Sequence, residues 1–377
     1  MVASLTLLAI LSDSAFVNYA ASMNVQLAAL SGVVLATIGA LLISHESPRN
    51  RILGIITISS GGILSVGAEP VCALLAIPFA GVLFFSAGSW RQWRFTSSRS
   101  LIPISMATVL VAFSVYMAWS EDSRLREIHA YDHLFVGVLG DESGRDEALS
   151  SLNLPKTLGR YAGESWWSAS AARHDPAWDE YSEEVTPTSV AVLILTHPKA
   201  TVQAATRATQ EVLSFRPRGI GTFPISANLP PRSADCRWCV ASAIGQLFAN
   251  RSLLAIVLFI AMASLIGSAL LRSGNPYKPY GVSICFLVGI VASGIVATAL
   301  SDPLDSAKTA IIPAMAACMI PVMLIGAWCA SRKSAPQLRG SLYTKSLPRR
   351  CSESILVENV THLPRKEACV LGSEGET

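Results

Sequence analysis

A chain of 377 residues with 51% hydrophobic and only 15% charged side chains, and a mean hydropathy of +0.45, is too apolar for an ordinary soluble protein. It reads as an all-α polytopic membrane protein. The net charge of +3 decides nothing by itself, because membrane proteins sort their basic residues by side, and no nucleic-acid partner is expected.

In chain order, about eight apolar intervals approach the ~20 residues that a helix needs to cross a hydrocarbon core. They fall near 2–19, 25–44, 52–67, 70–89, 101–119, 253–271, 281–300 and 309–330. The first carries Ser12, Asp13, Ser14 and Asn18, so a re-entrant or interfacial segment is an alternative there. It has no basic n-region and no small-residue cleavage pattern, and so does not read as a signal peptide. Between Ile52 and Trp90 the one charge is Glu69, followed by Pro70, which predicts two helices meeting in the turn GAEP.

Charge sets the expected orientation. Arg49 and Arg51 follow the second interval, Arg91, Arg94 and Arg99 the fourth, and Arg272 and Lys278 the sixth. Arg332, Lys333, Arg339, Lys345, Arg349 and Arg350 follow the eighth. With eight crossings all four clusters share one side, which the positive-inside rule makes cytoplasmic, with both termini, in an inner membrane.

The expected division is thus a membrane region over 1–119, an extracytoplasmic helical domain over 120–251, a second membrane region over 252–331 and a basic, disordered tail over 332–377. Within 120–251, Asp175 before Pro176, Thr186 before Pro187, and His197 before Pro198 mark three helix starts. Val202, Ala205, Ala208, Val212 and Phe215 recur at helical steps and predict one buried stripe on the third.

Several residues can carry chemistry. Asp13 and Glu69, at the edges of apolar intervals, are functional candidates because ionisable groups are costly there. Their plainer readings are a structural acceptor for Asp13 and a solvated turn residue for Glu69. The stretch LGRYAGESWWSAS gathers Arg160, Tyr161, Trp166 and Trp167. Such a cluster suits a sugar platform with a phosphate-binding Arg, an aromatic belt at the lipid surface, or a domain core; core or belt is favoured on residues alone. Of the eight cysteines, Cys236 and Cys239 form a CxxC without answering ligands, read as a local disulfide or two idle thiols rather than a metal site. Nothing identifies a cofactor.

LSDSAFVNYAAS, then YDHLFVGVLGDESGRDEALSSLNLPKTLGRYAGESWWS, then LTHPKA resemble, in order and spacing, bacterial polytopic membrane hexose transferases of glycan biosynthesis. The resemblance covers about residues 10–220. It implies a lipid-donor, C-type-like glycosyltransferase that takes a hexose from a polyprenyl-phosphate carrier on the outer face of the membrane. The carrier would lie between transmembrane helices, with membrane lipid around it, and the sugar phosphate would enter a cavity under the soluble domain. On that basis Asp13 and Glu69 are the catalytic candidates, and Tyr19, Arg160, Tyr161, Trp166, Trp167 and His197 the substrate-binding ones.

The chain departs from the family pattern. The upstream helix and acidic first outer loop that commonly hold the catalytic carboxylate are missing, Gln26 stands where a Glu is expected, and Glu69 where a basic residue precedes the Pro. The expectation is a truncated reading frame or a protein that has lost transfer. The alternative class is a non-enzymatic membrane protein that binds a glycolipid or partner. A transporter is disfavoured, since the two sets of intervals show no repeat symmetry.

Overall fold

The computed structural model describes residues 2–14, 16–17, 25–45, 47–88, 98–140, 144–214, 239–304 and 306–344. Among them there is helix and turn but no strand. The chain divides into a compact unit, Met1–Lys333, and a second, Ser334–Thr377, which is described only to residue 344 and is helical there.

Among the described residues five helices are long and apolar enough to cross a membrane: Gln26–Ile43, Leu101–Trp119, Ala249–Arg272, Lys278–Leu300 and Ser306–Arg332. Helices also fill the other three intervals where crossings were expected, but they are shorter or less apolar. The first, α1 (Val2–Leu11), is about 15 Å long at 1.5 Å per residue, half of what a crossing needs. It stops where the chain turns at Ser12 and Asp13, whose backbone N–H returns 3.0 Å to the carbonyl of Ile10.

α2 (Gln26–Ile43) and α3 (Pro48–Val66) pack as an antiparallel hairpin that glycine makes possible. A Cβ at Gly32 would lie 2.3 Å from the Gly61 carbonyl oxygen, and one at Gly39 would lie 2.8 Å from that of Gly54. Small residues at this seam let two backbones touch, the usual device where lipid supplies no hydrophobic drive between helices. Ser65 Oγ adds a buried bond of 3.0 Å to the Ala29 carbonyl. The GAEP turn follows as expected, with Glu69 extended and Pro70 opening a 3-10 helix, Pro70–Leu75, that leads into α4 (Ala76–Gly88). α5 (Ser98–Trp119) completes this half.

Residues after α5 build a second apolar core, separate from that of the long helices. Here α6 (Ser123–Asp132) passes into a π-helical turn, His133–Val138, and α7 (Arg145–Ser151) follows. At the centre the Tyr131 ring stacks on Phe135 at 4.4 Å and meets Trp166 and Trp178 edge-on at 5.4 and 5.1 Å. α8 (Pro176–Tyr181), α9 (Pro187–Thr196) and α10 (Pro198–Ser214) all begin where the proline and cap signals placed them. Asp175 accepts from the Ala177 N–H, and Thr186 and Ser189 form a reciprocal capping box.

The face of α10 matches the expected stripe at Ala208 and Val212 and differs from it toward the N-terminus. Ala200, Ala204, Ala208, Thr209 and Val212 are buried, while Val202 is exposed. The helix turns its alanine row inward so that it can approach its neighbours closely, and Phe215 lies outside the described residues.

α11 (Val240–Leu247) joins α12 (Ser252–Arg272) through a single 3-10 turn, Ala249–Arg251. α13 (Lys278–Leu300) and α14 (Ser306–Thr344) end the described chain. The helical run to residue 344 enters the interval read from sequence as an irregular tail, whose remainder, 345–377, lies outside the described residues.

Candidate functional site

Asp13 is 1% exposed, and its Oδ2 accepts from the backbone N–H of Ala241 at 3.1 Å and of Ser242 at 3.3 Å. These are two of the orphan donors in the first turn of α11, so the carboxylate from the end of α1 caps a helix 228 residues downstream. Beside it, Ser14 Oγ lies 3.6 Å from Cys239 Sγ. Cys239 is disulfide-bonded, and the other described cysteines, Cys72, Cys285, Cys318 and Cys329, are free thiols. Cys236 lies outside the described residues, as does Tyr19.

Gln26 and Glu69, far apart in the sequence, meet each other. Gln26 Nε2 donates to Glu69 Oε1 at 2.5 Å, across the mouth of the α2–α3 hairpin. Gln26 is fully buried, and its Oε1 has no hydrogen-bond partner.

The aromatic cluster divides. Trp166 is 8% exposed and belongs to the second core; its backbone N–H donates 2.6 Å to Asp132 Oδ1, and Arg173 lies over its ring at 5.4 Å. Trp167, its neighbour, is 67% exposed. Arg160 and Tyr161 converge on Asp175: the guanidinium pairs with Oδ2, and the phenol donates to the same oxygen at 2.6 Å. These bonds, with the Ala177 N–H, hold the Asp175 carboxyl down at about 2, the Tyr161 hydroxyl being the largest cause. Arg160 therefore already has a carboxylate partner, although its side chain is largely exposed.

His197 ends α9. Its Nδ1 lies 3.1 Å from the Leu193 carbonyl and its Nε2 3.0 Å from Ser151 Oγ, whose hydroxyl also reaches the Glu147 carbonyl at 2.8 Å. This ring ties α9 to α7.

Sequence reasoning passed over Asp132 and His133, both buried, and Arg207 on α10. The signal was present: two adjacent ionisable residues, Asp132 and His133, inside the apolar run AYDHLFVGV. His133 Nε2 donates to the Leu300 carbonyl at 2.7 Å, and Arg207 Nη2 reaches that of Ala299 at 3.4 Å, so both close the C-terminal end of α13. Among the described residues no group of three His, Cys, Asp or Glu could hold a metal ion.

An apolar cavity of about 760 Å³ opens among α1, α11, α12 and α14. Ile10, Ile244, Phe248, Phe259, Met262 and Ala317 line it, and Arg251 is the one charged lining residue among those described. Its lining is almost wholly apolar, and the helix that Asp13 caps forms part of its wall.

Helices of crossing length around an apolar core, with a second core built from the segment after α5, define a multi-pass helical membrane protein. Over residues 1–301 the chain matches the family model described as the YfdI N-terminal transmembrane domain, and it belongs to that family. No curated protein and no solved structure matches it.

Proposed function

We propose that the protein is a membrane glycosyltransferase-like component of cell-envelope glycan biosynthesis that holds a polyprenyl-phosphate hexose donor on the outer face of the cytoplasmic membrane. The observation that carries this reading is the 760 Å³ apolar cavity with Arg251 as its one described charge. An isoprenoid chain fits such a lining, and a guanidinium binds phosphate through paired charge-assisted hydrogen bonds. Membership of a transmembrane-domain family and the sequence resemblance to lipid-donor hexose transferases support it. In this reading the chain crosses the membrane eight times with both termini cytoplasmic, and the 120–251 segment stands outside as a domain over the site.

Hexosyl transfer needs a carboxylate to take the acceptor's proton. Both candidates are already bonded: Glu69, half-buried, accepts from the Gln26 amide, and Asp13 accepts from two backbone N–H groups. Glu69 is the candidate base of this reading, and Asp13 caps the helix that forms part of the donor cavity's wall. Trp167 remains as an exposed ring for a sugar. A second reading, donor binding without transfer, is favoured by the same commitments of Asp13 and Glu69.

Purified protein in nanodiscs, titrated with a polyprenyl-phosphate hexose and then given acceptor glycan, separates these readings. Binding that weakens about tenfold or more in Arg251→Ala, the scale of one lost charged contact, supports the donor site. Turnover abolished by Glu69→Gln selects the enzyme, and binding without turnover selects the second reading. Absence of binding rejects both.

A further inference from the structure

α11 offers its apolar side to the surroundings. Val240, Ile244, Leu247 and Phe248 stand at helical steps of four, three and one residues, within one arc, and all are exposed, Leu247 by 81%. The opposite face is fixed. Ser242 and Gly245 are buried, and a Cβ at Gly245 would fall 2.0 Å from the Leu213 carbonyl oxygen, so the helix lies backbone to backbone on the end of α10. Asp13 holds its first turn and the Cys239 disulfide sits at its N-cap. Nothing in this arrangement lets the helix roll its stripe inward.

The occupant of that stripe follows from what the helix joins. One 3-10 turn after Leu247 the chain enters Ala249–Arg272, a helix of crossing length whose own Leu254, Val257 and Leu258 are exposed. Ile244, Phe248, Leu254 and Leu258 line the same cavity, so the apolar surface runs unbroken from the short helix to the long one. A strongly amphipathic helix at the end of a span lies in the membrane plane, with its apolar face roughly 5–10 Å below the headgroups. Gln246, Asn250 and Arg251 are exposed and polar at this level, where an Arg reaches lipid phosphate.

We infer that Val240–Leu247 is an in-plane interfacial helix seated in the leaflet that faces the 120–251 segment, with Ile244, Leu247 and Phe248 in the acyl region. It moors that segment to the bilayer through the same apolar surface that borders the cavity.

Full-length protein in nanodiscs tests this without a substrate. An environment-sensitive fluorescent amino acid is placed singly at Leu247, at Ile244, at Gln246 and, as a mid-span control, at Leu265, all exposed positions. Emission is compared in plain lipid and in lipid brominated along the acyl chain. Loss of emission at 244, 247 and 265, with emission kept at 246, is the expected result. Emission at 244 and 247 unaffected by brominated lipid while 265 is quenched overturns the inference, whether aqueous iodide then quenches them, which puts the face in water, or fails to, which puts a second copy or a partner over it.

Discussion

His133 Nε2 stands 2.7 Å from the carbonyl oxygen of Leu300, so a ring from the π-helical turn after α6 closes the last turn of α13. The last carbonyls of a helix have no partner within it, and a donor from elsewhere satisfies them. His133 Nδ1 is buried with no hydrogen-bond partner, which leaves the proton on Nε2. The ring must stay neutral. Burial pushes its pKa down to about 4, Arg207 adds to the fall, and the bond to Leu300 opposes it.

That shift makes stability fall in mild acid. The unfolded chain takes up a proton near pH 6.5, the folded one only near pH 4, so the contribution is complete above about 6.5 and is lost as pH falls to about 4. The full swing is on the order of 3 kcal/mol. Denaturant unfolding at pH 7 and pH 4.5 should show it, and His133→Gln, which keeps a donor but cannot titrate, should flatten the slope. An unchanged slope in the variant assigns the acid sensitivity to other groups.

Asp13 gives opposite outcomes for a cap and for an acid. Asparagine caps a helix about as well as aspartate, so Asp13→Asn should keep near-normal stability, while Asp13→Ala should lose about 0.5–2 kcal/mol. A proton-transferring acid would be abolished by both substitutions alike. Thermal melts of the two variants, beside donor binding, decide which role the residue has.

The glycine seam predicts overpacking. With the Gly61 Cβ position 2.4 Å from the Gly32 carbonyl oxygen, Gly61→Val must push α2 and α3 apart. The expected loss is ~1–3 kcal/mol in unfolding experiments. Gly81, whose added Cβ would meet nothing within 4 Å, supplies the control, and Gly81→Ala should be neutral or slightly stabilising.

Local chemistry was legible in the sequence, and distant pairing was not. Asp175, Thr186 and Pro198 announce helix starts because a cap acts within three residues, and the structure begins α8, α9 and α10 there. On α10 the expected stripe meets the buried face at Ala208 and Val212 but departs from it at the N-terminal end, because alanine carries little hydrophobic signal and Val202 draws the stripe away from Ala200 and Ala204. Asp13 was picked out as costly, yet nothing near it in sequence names Ala241 and Ser242 as its partners. The same holds for Gln26 and Glu69, which were noted separately and meet only when the hairpin closes. His133 and Arg207 were missed because their partners are backbone carbonyls, which no side-chain pattern reveals.

Basic residues on alternate connections predict the orientation. Reporter fusions after Ser150 and after Gly340 should report opposite compartments, with position 340 cytoplasmic. Agreement between the two would remove the eight-span arrangement.

Tandem Trp166 and Trp167 should separate cleanly, because one ring lies in the second core and the other faces outward. Trp166→Ala leaves a hole beside Tyr131 and should cost about 3–5 kcal/mol, like other core truncations of large rings. Trp167→Ala should stay within about 0.5 kcal/mol of the parent, so any loss of glycolipid binding it causes is a loss of contact rather than of folding. The neighbouring Tyr161→Phe acts through Asp175. Its hydroxyl is the largest cause of the carboxyl's fall to about 2, so its removal lets that pKa climb back toward 3.8. Asp175 contributes stability that is complete above its unfolded pKa near 4 and is lost as pH falls through about 2. In Tyr161→Phe the loss should therefore set in at higher pH, visible as an acid-unfolding midpoint displaced upward, with little change at pH 7 beyond the one hydrogen bond of ~1 kcal/mol. A midpoint identical in the parent and the variant would mean that Asp175 is not held by Tyr161 in solution, and would release the Tyr161 hydroxyl for a ligand.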